Sequence, residues 1–590
     1  MRGRLQQICR QLVSRHSDLL VFLFALAVYL LTMDRSVSWW DCGEFITTGY
    51  GLQVGHPPGA PFYQLVSHCF MLLSFGNPMW VAPMSNFLSV LCGALTVMLL
   101  YKTILMLLLP SPPTSSLQGE DEKGSTSLGM QIAAVVGALS YLFCDTAWFS
   151  AVESEVYSMA MFFCSLIVWL MLRWERSGNQ RLLLLVGLLL GLGVCVHLMT
   201  LLVTPFLLWI FIRALRALGS LRPVRAICLA IPFFLLGLTP YAILPIRAAA
   251  NPPINEGNPA TYEDFKKYFS REQYAKAPLY PRMWREADAD HWGDWGGGSP
   301  TLWSNVKYCF TYQFGYMYCR YLMYNFIGRK NFKWNIIVPF ILPFLLGIWG
   351  MWQHRKRRRG DFHAVLLIFL FGGIILNFYL NHPCYEPRER DYAYVLSFYA
   401  FAMWIGIGAG AIWERRYLVG ILLLLVPMTL AVGNWSDHDR SGCHSVHDIS
   451  MAHLQSCDHG AILFTYGDND TFPLWYLKYV ENQRPDMDVY NINLAGFRKV
   501  MQVMEENAFR RPVYFSQYAY DRLKDFYPNR LRCEGYCWRL LPNLEGVDDR
   551  EPLRRHVADS IQWHIAEGEY LPNVSRSFLR IWQTNIQGLL

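Results

Sequence analysis

Residues 39–63 read WWDCGEFITTGYGLQVGHPPGAPFY, between an apolar run at 18–33 and further apolar sequence. Two acids, Asp41 and Glu44, and one histidine, His56, stand there among aromatics, glycines and prolines. Acids just after a membrane span lie at its surface, where Trp39 and Trp40 can anchor at the interface. A polar cluster at a membrane boundary is costly and reads as functional. The plain alternative is a solvated loop. Gly43, Gly49, Gly51 and Gly55 permit close backbone approach, and the HPPG turn stiffens the return.

The remaining sequence agrees with a membrane setting. Of 590 residues, 53% are hydrophobic and only 16% charged, against about 25% in an average soluble domain. This reads as a polytopic α-helical membrane protein. The net charge of +7 does not point to nucleic acid, because much of the basic excess falls in short loops between apolar runs. Arg2, Arg4, Arg10 and Arg15 precede the first run. No small-residue cleavage site follows it, so we read a signal anchor rather than a cleaved peptide. Fifteen cysteines are too few for a disulfide scaffold. Cys533 and Cys537 read as a disulfide pair in preference to a zinc site.

Hydropathy gives about 11 spans, near 18–33, 81–105, 130–148, 155–173, 182–196, 199–213, 226–246, 335–353, 363–381, 394–413 and 417–433. Basic residues recur in the loops at 174–181, 214–225, 354–362 and 414–416. By the positive-inside rule these loops and the N-terminus are cytoplasmic. The opposite, lumenal side then receives the loops 34–80, 247–334 and 382–393 and the tail, 434–590. The run 61–75 is too short to cross and reads as an interfacial or re-entrant helix. Residues 111–128 look like a flexible linker. The chain thus divides into a multi-spanning part, 1–433, and a small α/β domain, 434–590, in which strand-like and helix-like patches alternate. Asn434, Asn469 and Asn573 begin N-x-S/T triplets, candidate N-glycosylation sites.

Three further constellations carry chemistry. Glu153 and Glu155 lie at a predicted helix N-terminus, where the helix dipole alone could account for them. Arg388 and Arg390 straddle Glu389 next to Asp391, on the side where arginines are not expected. They need partners, either nearby acids (Glu386, Glu389, Asp391) or an external anion, and we favour an anion site because the guanidinium fork suits phosphate. Asp468-Asn469-Asp470 is either a metal-binding DxD or an acidic turn capping the next helix. His197, near a proposed turn, reads as structural.

Five stretches together resemble the signature sequences of the transmembrane protein 260 family. They are 41–63, FSAVESEVYSM (149–159), NPPINEGNPATYEDFKKYFSREQY (251–274), EPRERDYAYVLSFYAFAMWIGIG (386–408) and GDNDTFPLWYLKYVENQRPD (467–486). The family joins bacterial multi-spanning proteins to an animal endoplasmic-reticulum protein, and the resemblance runs from about residue 18 to 495. It implies a GT-C-type glycosyltransferase fold and O-mannosylation of IPT domains in plexins and hepatocyte-growth-factor-receptor-type receptors. The implied donor is dolichyl-phosphate mannose, a polyprenyl-phosphate sugar in the membrane; no metal or other cofactor is expected if cationic side chains stabilise its departing phosphate. The order of an acid followed by His56-Pro57-Pro58 is similar to the DE…HPPLGK of protein O-mannosyltransferases. Here Glu44 does not directly follow Asp41, and no lysine follows Gly59. The helical repeats expected in the animal tail are not evident.

A carboxylate can deprotonate a Ser or Thr hydroxyl as it attacks the sugar, and cations can stabilise the departing phosphate. We therefore assign Asp41 as catalytic base with Glu44 beside it. Arg388, Arg390, Arg247 and His56 become phosphate-binding candidates, and Glu153, Glu155, Asp391, Asp468 and Asp470 possible acidic support. The alternative class is a lipid or sugar transporter or flippase, which predicts polar residues near mid-span and internal repeats.

Overall fold

A computed structural model describes residues 16–109, 127–218, 222–274, 277–286, 288, 300–329, 341–386, 388–414, 420, 422–507, 510–528, 530–541, 563–565, 571 and 573–587. The basic N-terminal stretch, most of the 111–128 linker and parts of the spans expected at 335–353 and 417–433 lie outside the described residues.

The N-terminal part is a bundle of apolar helices. Labelled here are α1 (Ser17–Thr32), α2 (Cys42–Gly51), α3 (Pro61–Met71), α4 (Val81–Leu108), α5 (Leu128–Leu142), α6 (Asp145–Ala151) and α7 (Val156–Ser177). Further on lie α8 (Val395–Trp413), α9 (Leu425–His438) and α10 (Asp468–Tyr479). Among the described residues six helices are long and apolar enough to cross a membrane, or seven if α5 and α6, bent by 68°, form one span. The expected spans at 18–33 and 182–196 correspond to shorter apolar helices, Ser17–Thr32 and Arg181–Val194. α8 is apolar all round and buried from Val395 to Ala411, which makes it the central element. A Cβ on Gly350 or Gly408 would strike backbone oxygens of the facing helix, so these two helices meet at backbone distance.

The two ends of the bundle differ. At one end arginines cap the C-terminus of α4, whose last carbonyls lack helical partners. Arg176 donates to Met106 O and Leu109 O, and Arg358 to Leu107 O and Leu108 O. Arg213 joins Glu175 and Asp361 nearby. The basic loops thus gather at one end, as alternating crossings require. At the other end, α3 is too short to span, and Pro61 opens it where a missing N–H costs nothing. It leads into an exposed apolar tip, Leu72, Leu73, Phe75 (91% exposed), Met79 and Trp80.

The C-terminal part holds a five-stranded sheet in the order β2-β1-β3-β5-β4. β1 (Ile462–Thr465) lies parallel to both β2 (Asp488–Asn491) and β3 (Val513–Phe515). β4 (Leu531–Glu534) and β5 (Cys537–Leu540) add an antiparallel edge. α10 connects β1 to β2, the crossover that parallel pairing demands.

Two expectations need correction here. Cys533 and Cys537 are free thiols. Cys533 stands opposite Trp538 and Cys537 opposite Glu534, so the cysteines project from opposite faces of the hairpin. Asn434 lies inside α9, buried, with its amide donating to Phe143 O at 2.9 Å. That burial closes it to a glycan, whereas Asn573 is exposed.

The tail clamps the 39–63 stretch from above. Trp39 stacks on Phe578 at 5.0 Å and donates Nε1–H to Ser575 Oγ at 2.8 Å. The Trp40 amide donates to Asn469 Oδ1 at 2.6 Å. Trp40 has φ +61°, an uncommon value for an aromatic residue and a mark of local strain. Gly43 lets α2 approach α10, since a Cβ there would lie 2.5 Å from Phe472 O.

Candidate active site

The acids of the first loop meet the arginines of residues 388–440 at this clamped end. Arg388 bridges two helices, with Nη1 3.3 Å from Asp41 Oδ2 and Nη2 2.9 Å from Glu155 Oε1. Its guanidinium lies over the rings of Trp40 (5.2 Å) and Tyr392 (4.6 Å), a cation–π setting. A second arginine, Arg440, is fully buried, with Nη1 2.8 Å from Glu153 Oε2 and Nε 3.6 Å from Asp34 Oδ2. Glu155 occupies the N-cap position of α7 but makes no capping bond. Its carboxylate goes to Arg388, so local capping does not account for it.

Four carboxylates here share two guanidiniums. Burial pushes Glu155 up to about 8, opposed by Arg388 and reinforced by Asp41. Burial likewise raises Glu153 to about 7 and Asp34 to about 6. Asp41, with 22% of its side chain exposed, is the accessible acid, whereas Glu155 is 1% exposed.

Glu44 is buried and committed. Its Oε1 accepts the His56 amide and its Oε2 the His56 Nδ1–H, both at 2.6 Å. Gly55 makes room for this carboxylate, because a Cβ there would sit 2.3 Å from Oε1. Burial alone would lower the pKa of His56, but Glu44, then Asp41 and Glu256, push it up to about 10. His56 is therefore an imidazolium at neutral pH, 29% exposed. Among the described residues its Nε2 has no protein partner.

The other predicted cations are placed differently. Arg247 donates to Leu52 O (2.5 Å) and Gly51 O (3.1 Å), which fastens the C-terminus of α2. Arg390 pairs with Glu386 and donates to Tyr392 Oη. Glu389 pairs with Arg320, and Asp391 accepts from Thr146 Oγ1 and lies 3.5 Å from Arg329. Arg390 thus takes one of the nearby acids offered by the sequence, Glu386, whereas Arg388 takes Asp41 and Glu155 from distant parts of the chain.

Asp468 and Asp470 diverge. Asp470 turns into its own domain, where its Oδ2 accepts from the Tyr466 amide and Ser516 Oγ. Asp468 faces the first loop, where loss of water and then Asp41 and Glu44 push it up to about 6. The pair does not form a chelate. Cys42, Glu153 and Glu155 each offer a ligand atom within 4.8 Å of the others, all buried. Both glutamates already hold arginines there. Sequence reading missed Asp34 and Arg440, which have no motif around them, and Glu256, which lies inside the 251–274 signature; all three acquire partners or neighbours only on folding.

Comparisons with known proteins bear on this same loop. The model of the "Protein O-mannosyl-transferase TMEM260 N-terminal domain" matches residues 41–218, beginning at Asp41. "TMEM260-associated domain 2" matches 446–498, which contains β1, α10 and β2. These two regions match the TMEM260 family. Among the relatives of this family, the Dictyostelium discoideum protein O-mannosyl-transferase tmem260 is 22% identical over 520 residues, 81% of this chain and 57% of that protein. The Mus musculus protein O-mannosyl-transferase TMEM260 is 29% identical over 267 residues, 44% of this chain and 34% of that protein. The chain thus spans between a third and three-fifths of these TMEM260 relatives in the matched regions. ArnT from Cupriavidus metallidurans, solved in the apo state, has a TM-score of 0.40 at 13% identity, covering 90% of this chain and 98% of that one.

Proposed function

We propose that the chain is a membrane-embedded protein O-mannosyltransferase of GT-C type. Its donor is dolichyl-phosphate mannose, and its acceptors are Ser or Thr hydroxyls of IPT domains in plexin and hepatocyte-growth-factor-receptor-type proteins. The observation that carries this reading is Asp41, the accessible acid of the network, held 3.3 Å from Arg388 at the non-basic end of the bundle. Names of the TMEM260 relatives support the reaction class.

In this scheme Asp41 takes the proton as the acceptor oxygen bonds to the anomeric carbon. The carbon–oxygen bond to the phosphate breaks, and the phosphate leaves with the electron pair on the opposite face, inverting the sugar. His56, charged and with Nε2 open, receives the growing negative charge. Arg388 serves with it once the phosphate competes with Asp41 for its fork. Glu44 fixes the His56 ring and keeps it protonated. Arg247 and Arg390, occupied by protein groups, come after these two. The cations supply the charge stabilisation, so no metal enters the scheme.

The reading places the site and the 434–590 domain on the lumenal face of the endoplasmic reticulum, with the N-terminus cytoplasmic. Support comes from the gathering of basic loops at the far end. The test is mannose transfer to a purified IPT domain from dolichyl-phosphate mannose by the reconstituted protein. Asp41→Asn should lose about 10²–10⁴-fold in turnover with its melting temperature kept. Undiminished turnover in this variant removes Asp41 from the role.

A further inference from the structure

Glu256 lies in the 251–274 stretch, which the scheme above leaves unused. Backbone bonds tie its segment to the strand leading into His56. Val54 N donates to Ile254 O and Glu256 N to Val54 O, each at 3.1 Å. Ile254 N donates to Gln53 Oε1 at 2.7 Å. Glu256 is thereby carried alongside Gly55 and His56. Gly257 turns the chain away at φ +63°, and a Cβ there would press on Tyr268, 2.9 Å from its Cδ2. Tyr268 in turn donates to Gly55 O at 2.6 Å, locking the two segments together.

The carboxyl held by this lacing is 7% exposed, and among the described residues neither oxygen has a hydrogen-bond partner. Buried polar atoms are nearly always bonded, and one left unpartnered is destabilising. Here both oxygens of one group are open. The surroundings do not relieve it. Glu44, Asp468 and Asp41 bring charge of the same sign, and His56, the nearby cation, is already held by Glu44. An acid kept in such a place needs donors from outside the chain. Two open oxygens on one planar group suit two hydroxyls on adjacent carbons. In the proposed scheme the hexose of the donor lies beside Asp41 and His56, whose charges Glu256 feels.

We propose that Glu256 recognises the donor's hexose, its two carboxyl oxygens accepting hydrogen bonds from sugar hydroxyls. The inference rests on the proposed use of a lipid-phosphate sugar. It separates sugar recognition, by Glu256, from phosphate recognition, by His56 and Arg388.

The test uses the full chain in nanodiscs without acceptor, with dolichyl-phosphate mannose and dolichyl phosphate as probes. Glu256→Ala should weaken binding of the mannosyl lipid at least 10-fold and leave the bare lipid phosphate unchanged. Glu256→Gln, which keeps one acceptor, should fall between. The ligand-free Glu256→Gln protein should melt no lower than wild type, since no native bond is lost. Equal weakening for both lipids, a loss seen only when a divalent cation is added, or a lowered melting temperature overturns the proposal. A wild type that does not prefer the mannosyl lipid sinks the donor reading and this inference with it. A wild type that prefers it, with Glu256→Ala keeping that preference, sinks this inference alone.

Discussion

Gly43→Ala tests whether the tail positions the first loop. The added Cβ would lie 2.5 Å from Phe472 O, 2.6 Å from Phe472 C and 2.9 Å from Pro473 N. All three are backbone atoms of α10, which cannot swing aside as a side-chain tip can. An ordinary contact needs about 3.5 Å, so α2 and α10 must part by about 1 Å. Overpacking of this kind costs about 1–3 kcal/mol. Asp41 immediately precedes α2, and its contact with Arg388 starts at 3.3 Å. A displacement of that size takes the pair beyond 4 Å, and misplacement by about 1 Å can cost about 10²-fold in rate. The assay pairs thermal unfolding with mannosyl transfer. Gly442→Ala is the control, because nothing lies within 4 Å of a Cβ there. Wild-type melting together with wild-type turnover in Gly43→Ala would refute the argument that α10 sets the position of Asp41.

Arg388→Ala should cost about 3–5 kcal/mol, because it leaves Glu155 buried without a counter-charge. Adding Glu155→Gln should return part of that loss, and a double-mutant cycle showing no coupling would contradict the bridge. The Glu44–His56 pair gives a pH signature. The His56 pKa is raised from 6.5 to about 10, so the stability it contributes is whole below about pH 6.5 and disappears as pH rises through about 10. Glu44→Gln should therefore narrow its stability deficit against wild type as pH climbs toward 10. Asp468 and Glu256 also feel Glu44, so the comparison is made in a Glu256→Gln background and read above about pH 7, where Asp468 has titrated. A deficit independent of pH would mean that His56 is neutral.

Much of the site was legible because hydropathy and motif chemistry are local properties. Apolar runs of membrane length, basic loops at alternating ends and the strand–helix–strand pattern at 462–491 can each be read from a few dozen consecutive residues. The glycines of 43 and 55 announced close approaches without saying to what. The pairing of charges was not local. Arg388 and Arg390 are two residues apart, yet one reaches Asp41 and Glu155 while the other turns back to Glu386. Asp468 and Asp470 part company in the same way.

The sequence by itself determined that the chain is a polytopic helical protein with an α/β tail, and that acids and arginines collect near one membrane surface. Burial periodicity and charge placement carry that information along the chain. Only the tertiary structure decided which acid stays accessible, which cation stays open and that Glu256 is buried without a hydrogen-bond partner among the described residues. Those outcomes depend on contacts between residues hundreds of positions apart, where competition for a few buried counter-charges is settled by geometry.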